Sequence, residues 1–368
     1  MKIAHLMGSL NRGGAETLAL DMFRNSAHAG LNMILIHRKG GTLAADFRNS
    51  GVETIELVLK SPVDVSYLFR LRKKIKDKKI TILHAHQVID AVYAILATVG
   101  MPARVILSLH GHGVADDKLS AALRRLAITY ADRVIFVSKS QREHYLRRFG
   151  DIRKSLVCFN GLDFSKFNVK PDQSLRKELG IPMDYLLMGS VGNFSSGRDQ
   201  QTICRFLTLL KREAIPFHFV FIGAASKSEP EFFQQCVDYC QTHGLSQQVT
   251  FMGSRSDVPA ILPALDAFIY STAHDTFGIA VVEAIASGTP VFVNDWEVMK
   301  EVTQEGNWAT LYTSRDESDL LKKFIDFYQN QIKYRERAQQ NSLAVKENYS
   351  IQKYLQRLST IYTSLLNT

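Results

Sequence analysis

Two acidic residues, Asp275 and Glu283, stand on either side of a predicted helix start, where their side chains are placed to bind a polar ligand. Residues 274–278 form a polar turn, and the unbroken apolar run at 279–286 predicts a helix. A helix N-terminus carries unpaired N–H groups and partial positive charge, so it attracts an anion. Nearby carboxylates can accept hydrogen bonds from sugar hydroxyls while the turn amides bind phosphate. The alternative is a capping residue followed by a solvated helix acid, and this segment alone does not decide between them.

A glycine pair, Gly13-Gly14, lies between the first predicted strand and the first predicted helix. Adjacent glycines allow a ligand to approach the backbone and the helix N-terminus closely. The spacing fits neither the three-glycine dinucleotide fingerprint nor a P-loop with its Gly-Lys-Ser/Thr sequence. A ligand-binding loop and an ordinary tight turn therefore both remain open.

Four histidines follow two predicted strands: His84 and His86 end one, and His110 and His112 end the next. Grouped imidazoles can bind a metal ion. No cluster of carboxylates and no ligand spacing accompanies them, so we predict no metal site. The alternative to a functional role is an ordinary hydrogen-bonded histidine at a strand end.

These segments are positioned by an alternation of strand and helix patterns that occurs twice along the chain. Such alternation predicts parallel sheets with helices on both faces, and therefore two doubly wound α/β domains. Ligands then bind beyond the carboxyl ends of the strands. The predicted strands are 2–8, 32–37, 52–59, 80–85, 104–109 and 133–138, then 185–192, 217–223, 248–252, 266–270 and 290–294. Predicted helices include 14–28, 66–78, 88–99 and 118–130, then 316–341 and 350–366.

Length and composition fit a two-domain globular protein, with 368 residues of which 46% are hydrophobic. No apolar run is long enough to span a bilayer, and the first residues are interrupted too soon for a signal peptide, which predicts a cytoplasmic protein. Lys and Arg outnumber Asp and Glu by 27 to 14 in residues 1–170, but number 18 against 22 in residues 171–368. The basic half favours an anionic partner: a phosphate-bearing acceptor, anionic lipid or nucleic acid. A solvated basic face is the alternative.

The basic segment 67–79 predicts an amphipathic helix, with Leu68, Leu71 and Ile75 at helical spacing and lysines mostly on the other face. Such a helix can lie on an anionic membrane surface. It can equally pack its apolar stripe on the sheet, and the spacing alone does not separate the two.

The segment from Asp275 onward resembles the signature of the large retaining family of GT-B glycosyltransferases. That signature has two glutamates separated by seven residues, followed by Ala-x-Ala-x-Gly-x-Pro-Val. Asp275 and Glu283 have this spacing, and Phe277, Gly278 and 288–291 match as well. One departure is that the first acid is Asp, shorter by a methylene. The resemblance implies that Asp275 contacts the donor sugar and that Glu283 contacts the nucleotide ribose.

Other segments resemble the same family. The Gly13-Gly14 loop corresponds to the loop that faces the donor diphosphate, His110 to a histidine beside the donor sugar, and 251–255 to the loop that holds the base. In the loop that follows Gly192, Asn193 replaces the family's Arg, and Arg198 occupies the position of its Lys. The resemblance implies catalytic roles for His110, Arg198 and Asp275, and donor binding by Gly13, Gly14, Asn193, Gly253, Ser254, Arg255, Thr276, Phe277, Gly278, Ile279 and Glu283.

By this resemblance the fold is GT-B, with two Rossmann-like domains that face an interdomain cleft. The Asn160-Gly161 turn and the residues after it resemble the family's interdomain link, which gives domains at 1–167 and 168–349. The last helix, 350–368, is then expected to pack back on the first domain.

The resemblance implies a retaining, metal-independent transfer of sugar from a nucleotide-diphosphate sugar to a glycan or lipid-linked acceptor, in surface polysaccharide or glycolipid synthesis. No cofactor and no nucleic acid partner are expected. Contact with the inner face of the cell membrane is expected from the basic half. Alternatives are a GT-B nucleotide-sugar epimerase and a non-catalytic donor-binding subunit, the latter because Asn193 and Asp275 depart from the family pattern.

Overall fold

The computed structural model describes residues 1–112, 117–167 and 174–367, which form two compact units. Unit 1 comprises Met1–Asp163 and Tyr349–Thr368, and unit 2 comprises Phe164–Asn348. The chain thus passes from one unit to the other at Asp163, slightly before the predicted boundary at 167. The predicted start of the second domain at 168, together with Gly113 and Thr368, lies outside the described residues.

Unit 1 contains a seven-stranded parallel sheet of order β3-β2-β1-β4-β5-β6-β7. Its strands are β1 Ile3–Met7, β2 Met33–His37, β3 Glu53–Glu56, β4 Ile82–Ala85, β5 Arg104–Leu109, β6 Arg133–Phe136 and β7 Ser155–Val157. The central strands are buried, apart from Arg104 at the start of β5, because helices cover both faces, which explains their mostly apolar sequences. Strand β7 was not predicted, since it has three half-buried residues at the sheet edge.

Helices pack on both faces of this sheet. They are α1 Gly14–Ser26, α2 Ala44–Arg48, α3 Val65–Asp77, α4 Val88–Thr98, α5 Lys118–Tyr130 and α6 Lys139–Phe149, with the C-terminal helix Ile351–Leu366 (α15) beside α1. Tyr354, Leu358 and Tyr362 of that last helix are buried among the core residues of unit 1, including Phe23. These apolar side chains of the last helix therefore belong to the core of unit 1.

Unit 2 contains a six-stranded parallel sheet of order β10-β9-β8-β11-β12-β13. Its strands are β8 Leu186–Val191, β9 Phe217–Ile222, β10 Val249–Phe251, β11 Ala267–Tyr270, β12 Val291–Asn294 and β13 Thr310–Tyr312. Its helices are α7 Ser174–Leu179, α8 Gln200–Arg212, α9 Glu231–Thr242, α10 Val258–Ile261, α11 Ile279–Ala286, α12 Glu297–Val302, α13 Glu317–Gln329 and α14 Gln331–Asn348. Short 3-10 helices occupy Phe164–Phe167 and Leu262–Ala264.

The segment predicted as helical at 316–341 is helical, and two helices occupy it. Asn330 caps α13, and its side-chain amide donates to the carbonyl of Asp326 at 2.9 Å. An asparagine that bonds to its own backbone in this way favours a helix end. Helix α14 then begins at Gln331 and packs on α11.

Candidate active site

The strand order of unit 2 changes direction between β8 and β11, which makes the carboxyl ends of these two strands the expected ligand-binding edge. The loops that follow them are joined by a short antiparallel pairing of Arg198 with Thr272. The Asp199 amide donates to the Ser271 carbonyl at 3.2 Å, and the Ala273 amide donates to the Gly197 carbonyl at the same distance. The two loops are therefore held as one framework, although their residues are far apart in the sequence.

Arg198 is fixed by two neighbours from the second of these loops. Its Nη1 donates to Oδ2 of Asp275 at 2.7 Å, and its guanidinium lies 4.8 Å from the centroid of the Tyr270 ring. The Arg198 side chain is 25% exposed, so it combines a defined position with access to a ligand.

Asp275 has hydrogen bonds on both carboxylate oxygens. Oδ2 also accepts from the Tyr270 hydroxyl at 2.5 Å, while Oδ1 accepts from the backbone amides of Thr276 and Phe277 at 2.8 and 3.3 Å. A carboxylate offers about four lone-pair sites, and these contacts engage all of them. The contacts favour a role for Asp275 in holding Arg198 and the turn, rather than the sugar contact that the family resemblance implies.

The turn leads into α11, whose N-cap residue is Gly278 and which has no side-chain cap. Gly278 has φ +80°, a left-handed conformation that favours glycine, and a Cβ there would lie 2.7 Å from the Met299 methyl group, so the Met299 side chain would have to move. Phe277 is buried beneath the turn. Glu283 follows one turn after Ile279 on the same face of α11 and is half-buried. The helix bounds and the position of Glu283 agree with the sequence prediction.

Asn193 performs a structural task at the position where the family has its arginine. Its Oδ1 accepts from the Ala224 amide at 3.0 Å, and its carbonyl accepts from the Gln200 side chain at 3.2 Å. The side chain thereby links the loop after β8 to the loop after β9. An uncharged amide provides this link, and Arg198 remains as the cation of this loop.

Arg255, which the resemblance assigns to donor binding, is engaged by two carboxylates. It bonds to Asp257 at 2.6 and 2.8 Å and to Glu178 at 2.9 and 3.3 Å. The hydrogen bonds to Asp257 and then Glu178 raise the pKa of Arg255. Its charge is thus compensated within unit 2. In the same loop Gly253 has positive φ, and its carbonyl accepts from the Gly223 amide at 2.9 Å.

In unit 1 the neighbouring strands β1, β4 and β5 bring a row of histidines together. His5 Nδ1 lies 2.9 Å from His86 Nε2, and His86 Nδ1 lies 2.9 Å from His110 Nε2. His84 contacts the Tyr362 hydroxyl at 2.7 Å through Nδ1 and Ser108 Oγ at 2.7 Å through Nε2. We refer to His5, His84, His86, His110 and Tyr362 as the histidine row.

Burial lowers the pKa of every imidazole in the histidine row, and that of His110 falls to about 4. His112 does not join the row and instead packs against His144 with ring centroids 4.9 Å apart. The glycine pair also lies in unit 1, where Gly13 is the N-cap of α1 and supplies no capping side chain. An uncapped helix start of this kind suits an anionic ligand.

Both halves of the chain match models of known protein families. Residues 171–344 match the family model of glycosyl transferases group 1, and residues 12–166 match that of Glycosyltransferase Family 4. The chain is a group 1 glycosyltransferase. It is thus a transferase of class EC 2.4 with the two-domain, Rossmann-like GT-B fold.

Individual relatives of this glycosyltransferase are distant. It is 22% identical over 314 residues to N-acetyl-alpha-D-glucosaminyl L-malate synthase of Bacillus anthracis, covering 83% of this chain and 80% of that protein. It is 25% identical over 246 residues to N,N'-diacetylbacillosaminyl-diphospho-undecaprenol alpha-1,3-N-acetylgalactosaminyltransferase of Campylobacter jejuni, covering 64% and 62%. The crystal structure of Anabaena HepE in complex with UDP-glucose shares its fold, with a TM-score of 0.87, 18% identity and coverage of 99% and 100%.

Sequence reasoning missed several residues that organise the glycosyltransferase's site. Tyr270 ends an apolar strand, where it looks like a core residue. Buried Asn294 accepts from the Thr272 amide at 3.0 Å and donates to the Thr272 carbonyl at 2.7 Å, a pairing that no short motif signals. His5 lies in the middle of β1, so nothing in the sequence links it to the later histidines.

Within the part of the chain that the structure describes, the glycosyltransferase has no helix that is both long and apolar enough to cross a membrane.

Proposed function

We propose that this enzyme is a retaining, metal-independent glycosyltransferase that moves a sugar from a nucleoside-diphosphate sugar to a glycan or lipid-linked acceptor. The observation that carries the proposal is Arg198, held between Asp275 and Tyr270 beside the start of α11. The Campylobacter relative is named for an undecaprenol-linked substrate, and the fold relative HepE has UDP-glucose bound. These names support a nucleotide-sugar donor and a lipid-linked acceptor in surface polysaccharide or glycolipid synthesis.

The proposed reaction breaks the bond between sugar C1 and a phosphate oxygen and forms a bond from C1 to an acceptor oxygen. Negative charge grows on the departing diphosphate, and Arg198 together with the amides at the start of α11 would stabilise it. The sugar becomes oxocarbenium-like. We assign no side-chain nucleophile: the departing phosphate accepts the proton of the acceptor hydroxyl on the same face, so the configuration at C1 is retained.

We assign the donor contacts as follows. Glu283 binds the ribose, and Gly253 and Ser254 bind the base. His110 accepts a hydrogen bond from a hydroxyl group of the sugar. The uncapped start of α1 at Gly13-Gly14 is assigned to the diphosphate. Asp275 is assigned as a positioning residue for Arg198, because the protein already engages both of its carboxylate oxygens.

The proposed activity is tested with a panel of UDP-, GDP- and dTDP-sugars, with undecaprenyl-diphosphate-linked sugars as acceptors. We expect one donor to raise the melting temperature, because a bound ligand stabilises the folded state. Transfer should persist in EDTA, and NMR of the product should show the anomeric configuration of the donor. Inverted configuration or loss of activity in EDTA would contradict the proposal. Nucleotide release without acceptor would indicate an epimerase, and donor binding without transfer a non-catalytic subunit.

Replacing Glu283 by alanine is expected to weaken donor binding while the protein remains folded. A hydrogen bond from ribose to an ionised carboxylate is worth about 1.5–3 kcal/mol, which corresponds to a loss of about 10- to 150-fold. Isothermal titration calorimetry with the preferred donor measures this change. Glu283→Gln keeps the size and one acceptor oxygen, and should bind with intermediate affinity. Unchanged affinity in Glu283→Ala would remove this residue from the donor site.

Helix α3 offers a surface for the membrane contact that is expected from the basic half of the chain. The apolar stripe of α3 is not available for it, because Leu71 and Ile75 are buried in the core of unit 1. The outward face of α3 instead carries Val65 and Phe69, which are 62% and 66% exposed, followed by exposed Lys73. We propose that this face contacts anionic lipid, since exposed apolar and basic residues on one helix face suit a membrane surface.

The membrane contact is tested by vesicle flotation with Lys73→Glu/Lys76→Glu. Each lysine near an anionic surface contributes about 1 kcal/mol, so this variant should bind at least about 30-fold more weakly to phosphatidylserine vesicles. Lys78 is unsuitable for the test, because its Nζ already pairs with Glu53 at 2.5 Å. Lys322→Glu/Lys333→Glu gives the same change of net charge on exposed residues of unit 2 and should retain binding. Equal binding by both variants would exclude α3 as the contact.

A further inference from the structure

The strand order of unit 1 also changes direction, at the boundary between β1 and β4. From β1 the sheet continues outwards through β2 and β3, and the chain then returns to β4 on the other side of β1. Ligands of parallel α/β sheets bind beyond the carboxyl ends of the strands at such a switch point. Gly8 directly follows β1, Arg38 directly follows β2, and Gln87 follows β4 by two positions. These residues therefore lie at an edge of unit 1 where a ligand is expected.

Arg38 is held at this edge by two side chains. Its Nε donates to Oδ1 of Asp90 at 2.7 Å, and its Nη2 donates to Oε1 of Gln87 at 2.6 Å. A Cβ at Gly8 would lie 2.7 Å from Arg38 Nη2 and 2.4 Å from Gln87 Oε1, so both of these side chains would have to move. The guanidinium of Arg38 therefore lies close to the backbone at the end of β1.

Three of the five N–H groups of Arg38 remain for another partner. The two hydrogen bonds use the N–H of Nε and one N–H of Nη2, and Arg38 makes no further hydrogen bond within residues 1–112, 117–167 and 174–367. The side chain is only 15% exposed, and polar groups with so little exposure are normally hydrogen-bonded. The planar fork of a guanidinium matches two oxygens of one phosphate group.

Asp90 does not engage this fork. Its Oδ1 accepts from Nε, whereas its Oδ2 is buried and has no hydrogen-bond partner in the described part of the chain. The ion pair is therefore a contact through one oxygen, and it fixes the guanidinium from the Nε side. Both Nη groups lie outside this pair, so Arg38 can bind a ligand without giving up its contact with Asp90.

The charge of the neighbouring loops favours an anion. The loops after β1 and β2, residues 8–13 and 38–43, contain Arg12, Arg38 and Lys39 but no Asp or Glu. The two loops are tied together, because the Arg12 amide donates to Thr42 Oγ1 at 3.0 Å and the Leu10 amide donates to the Gly40 carbonyl at 3.3 Å. Arg12 and Lys39 are exposed. A basic rim of this kind attracts an anionic substrate towards Arg38.

We propose that Arg38 determines acceptor specificity by binding a phosphate group of the acceptor, so that this glycosyltransferase prefers a sugar linked through a diphosphate. The inference rests on the proposed function, in which Arg198 and the Gly13-Gly14 loop bind the donor diphosphate. An additional arginine at the switch point of unit 1 then fits a second phosphate-bearing substrate. The excess of Lys and Arg over Asp and Glu in residues 1–170, 27 against 14, agrees with an anionic acceptor.

Steady-state kinetics with two forms of the same acceptor sugar tests this proposal. One form is linked to farnesyl diphosphate, and the other is linked to an octyl group and carries no phosphate. Arg38→Gln should raise KM for the diphosphate form about 10- to 150-fold, as the loss of a charge-assisted hydrogen bond requires, and wild type should show a similar preference for that form. Donor affinity and KM for the octyl form should stay within about twofold. Arg38→Lys keeps the charge but loses the planar fork, and should give an intermediate KM.

Two variants control this experiment. Arg24→Gln removes another arginine of unit 1, which pairs with Asp46 at 3.0 Å, and should leave KM for both acceptors unchanged. Arg38→Gln leaves the buried Asp90 carboxylate without its ion pair, which can destabilise the fold. Arg38→Gln/Asp90→Asn removes both charges and should therefore fold while it shows the same increase in KM for the diphosphate form.

The proposal is overturned if the Arg38 variants keep the wild-type KM for the diphosphate form, if KM rises equally for both forms, or if only donor affinity falls. Failure of the proposed function would instead appear as no transfer by wild type. Calorimetry with inorganic pyrophosphate then still tests Arg38. Pyrophosphate should bind to Arg198→Ala, which lacks the cation assigned to the donor, and at least about tenfold more weakly to Arg198→Ala/Arg38→Gln. Equal binding by these two variants would show that Arg38 binds no phosphate.

Discussion

Replacing Arg198 by alanine is expected to lower kcat about 100- to 1,000-fold, while donor affinity falls only about tenfold. The reason is that charge on the departing diphosphate is greater in the transition state than in the bound donor, so the guanidinium stabilises the transition state more. Asn193 leaves this loop without the second cation of the family, which increases the dependence on Arg198. Steady-state kinetics together with calorimetry separates the two effects.

Two variants control this experiment. Arg205→Ala removes another arginine of unit 2, whose side chain is 32% exposed and which pairs with Glu317 at 3.0 Å, and it should leave kcat within about twofold. Arg198→Lys keeps the charge but loses the planar contact with Asp275 and Tyr270, and should give an intermediate rate. If Arg198→Ala changed affinity and kcat equally, Arg198 would bind the donor without a special role in the transition state.

A double-mutant cycle tests whether Asp275 acts through Arg198. If Asp275 only positions the guanidinium, Asp275→Asn should lower kcat, but the double variant should be no slower than Arg198→Ala alone. If Asp275 contacts the sugar directly, the two losses should multiply. The 2.7 Å contact between the side chains makes the first outcome the expected one.

Most of the fold could be predicted from the sequence, because the patterns that indicate helices and strands are local. Helix α11 begins and ends at the predicted residues, since an apolar run lies between Gly278 and Gly288 and each of these glycines has positive φ. The predicted core strands are all present. Signals weaken where an element is short or half-buried, as in β7 and β13, or where one side chain ends a helix, as at Asn330.

The contacts within the candidate site could not be predicted in the same way, because they join distant parts of the chain. Arg198 and Asp275 are separated by 77 positions, and only the meeting of two loops at the switch point makes them an ion pair. Tyr270 carries no polar signal in its apolar strand. The histidine row is harder still to predict, since His5 and Tyr362 come from opposite ends of the chain. Their proximity depends on the packing of α15 in the core of unit 1.

Acidification below pH 6.5 is expected to destabilise unit 1 steeply. Burial lowers the pKa of His5, His84, His86 and His110 below the ordinary value of 6.5, and the folded-state pKa of His110 is about 4. Between the folded and unfolded pKa values the unfolded chain binds more protons, so the stability that these neutral rings provide is complete above pH 6.5 and is lost as pH falls. Each ring can change the free energy of unfolding by up to about 1.4 kcal/mol per pH unit.

Together the four rings can lower the free energy of unfolding by about 5 kcal/mol per pH unit. The total free energy of unfolding of a typical protein is only about 5–15 kcal/mol. Asp90 opposes this effect, because burial raises its pKa to about 6 and its protonation on acidification favours the folded state. One carboxyl group offsets about one imidazole. The net dependence is then about 4 kcal/mol per pH unit, so unit 1 should unfold within about one to four units below pH 6.5.

The location of the tryptophans allows the loss to be assigned to one unit. Trp296 and Trp308 are the two tryptophans of the chain and both lie in unit 2, so their fluorescence reports that unit, whereas circular dichroism reports both. On acidification, part of the helical signal should be lost before the fluorescence changes. The free energy of unfolding is measured with urea at several pH values. His84→Gln should reduce its pH dependence by up to about 1.4 kcal/mol per pH unit. His28→Gln, at an exposed position, is the control and should leave the pH dependence unchanged. A stability that stayed constant from pH 7 to pH 5 would show that the row is not buried in its neutral form.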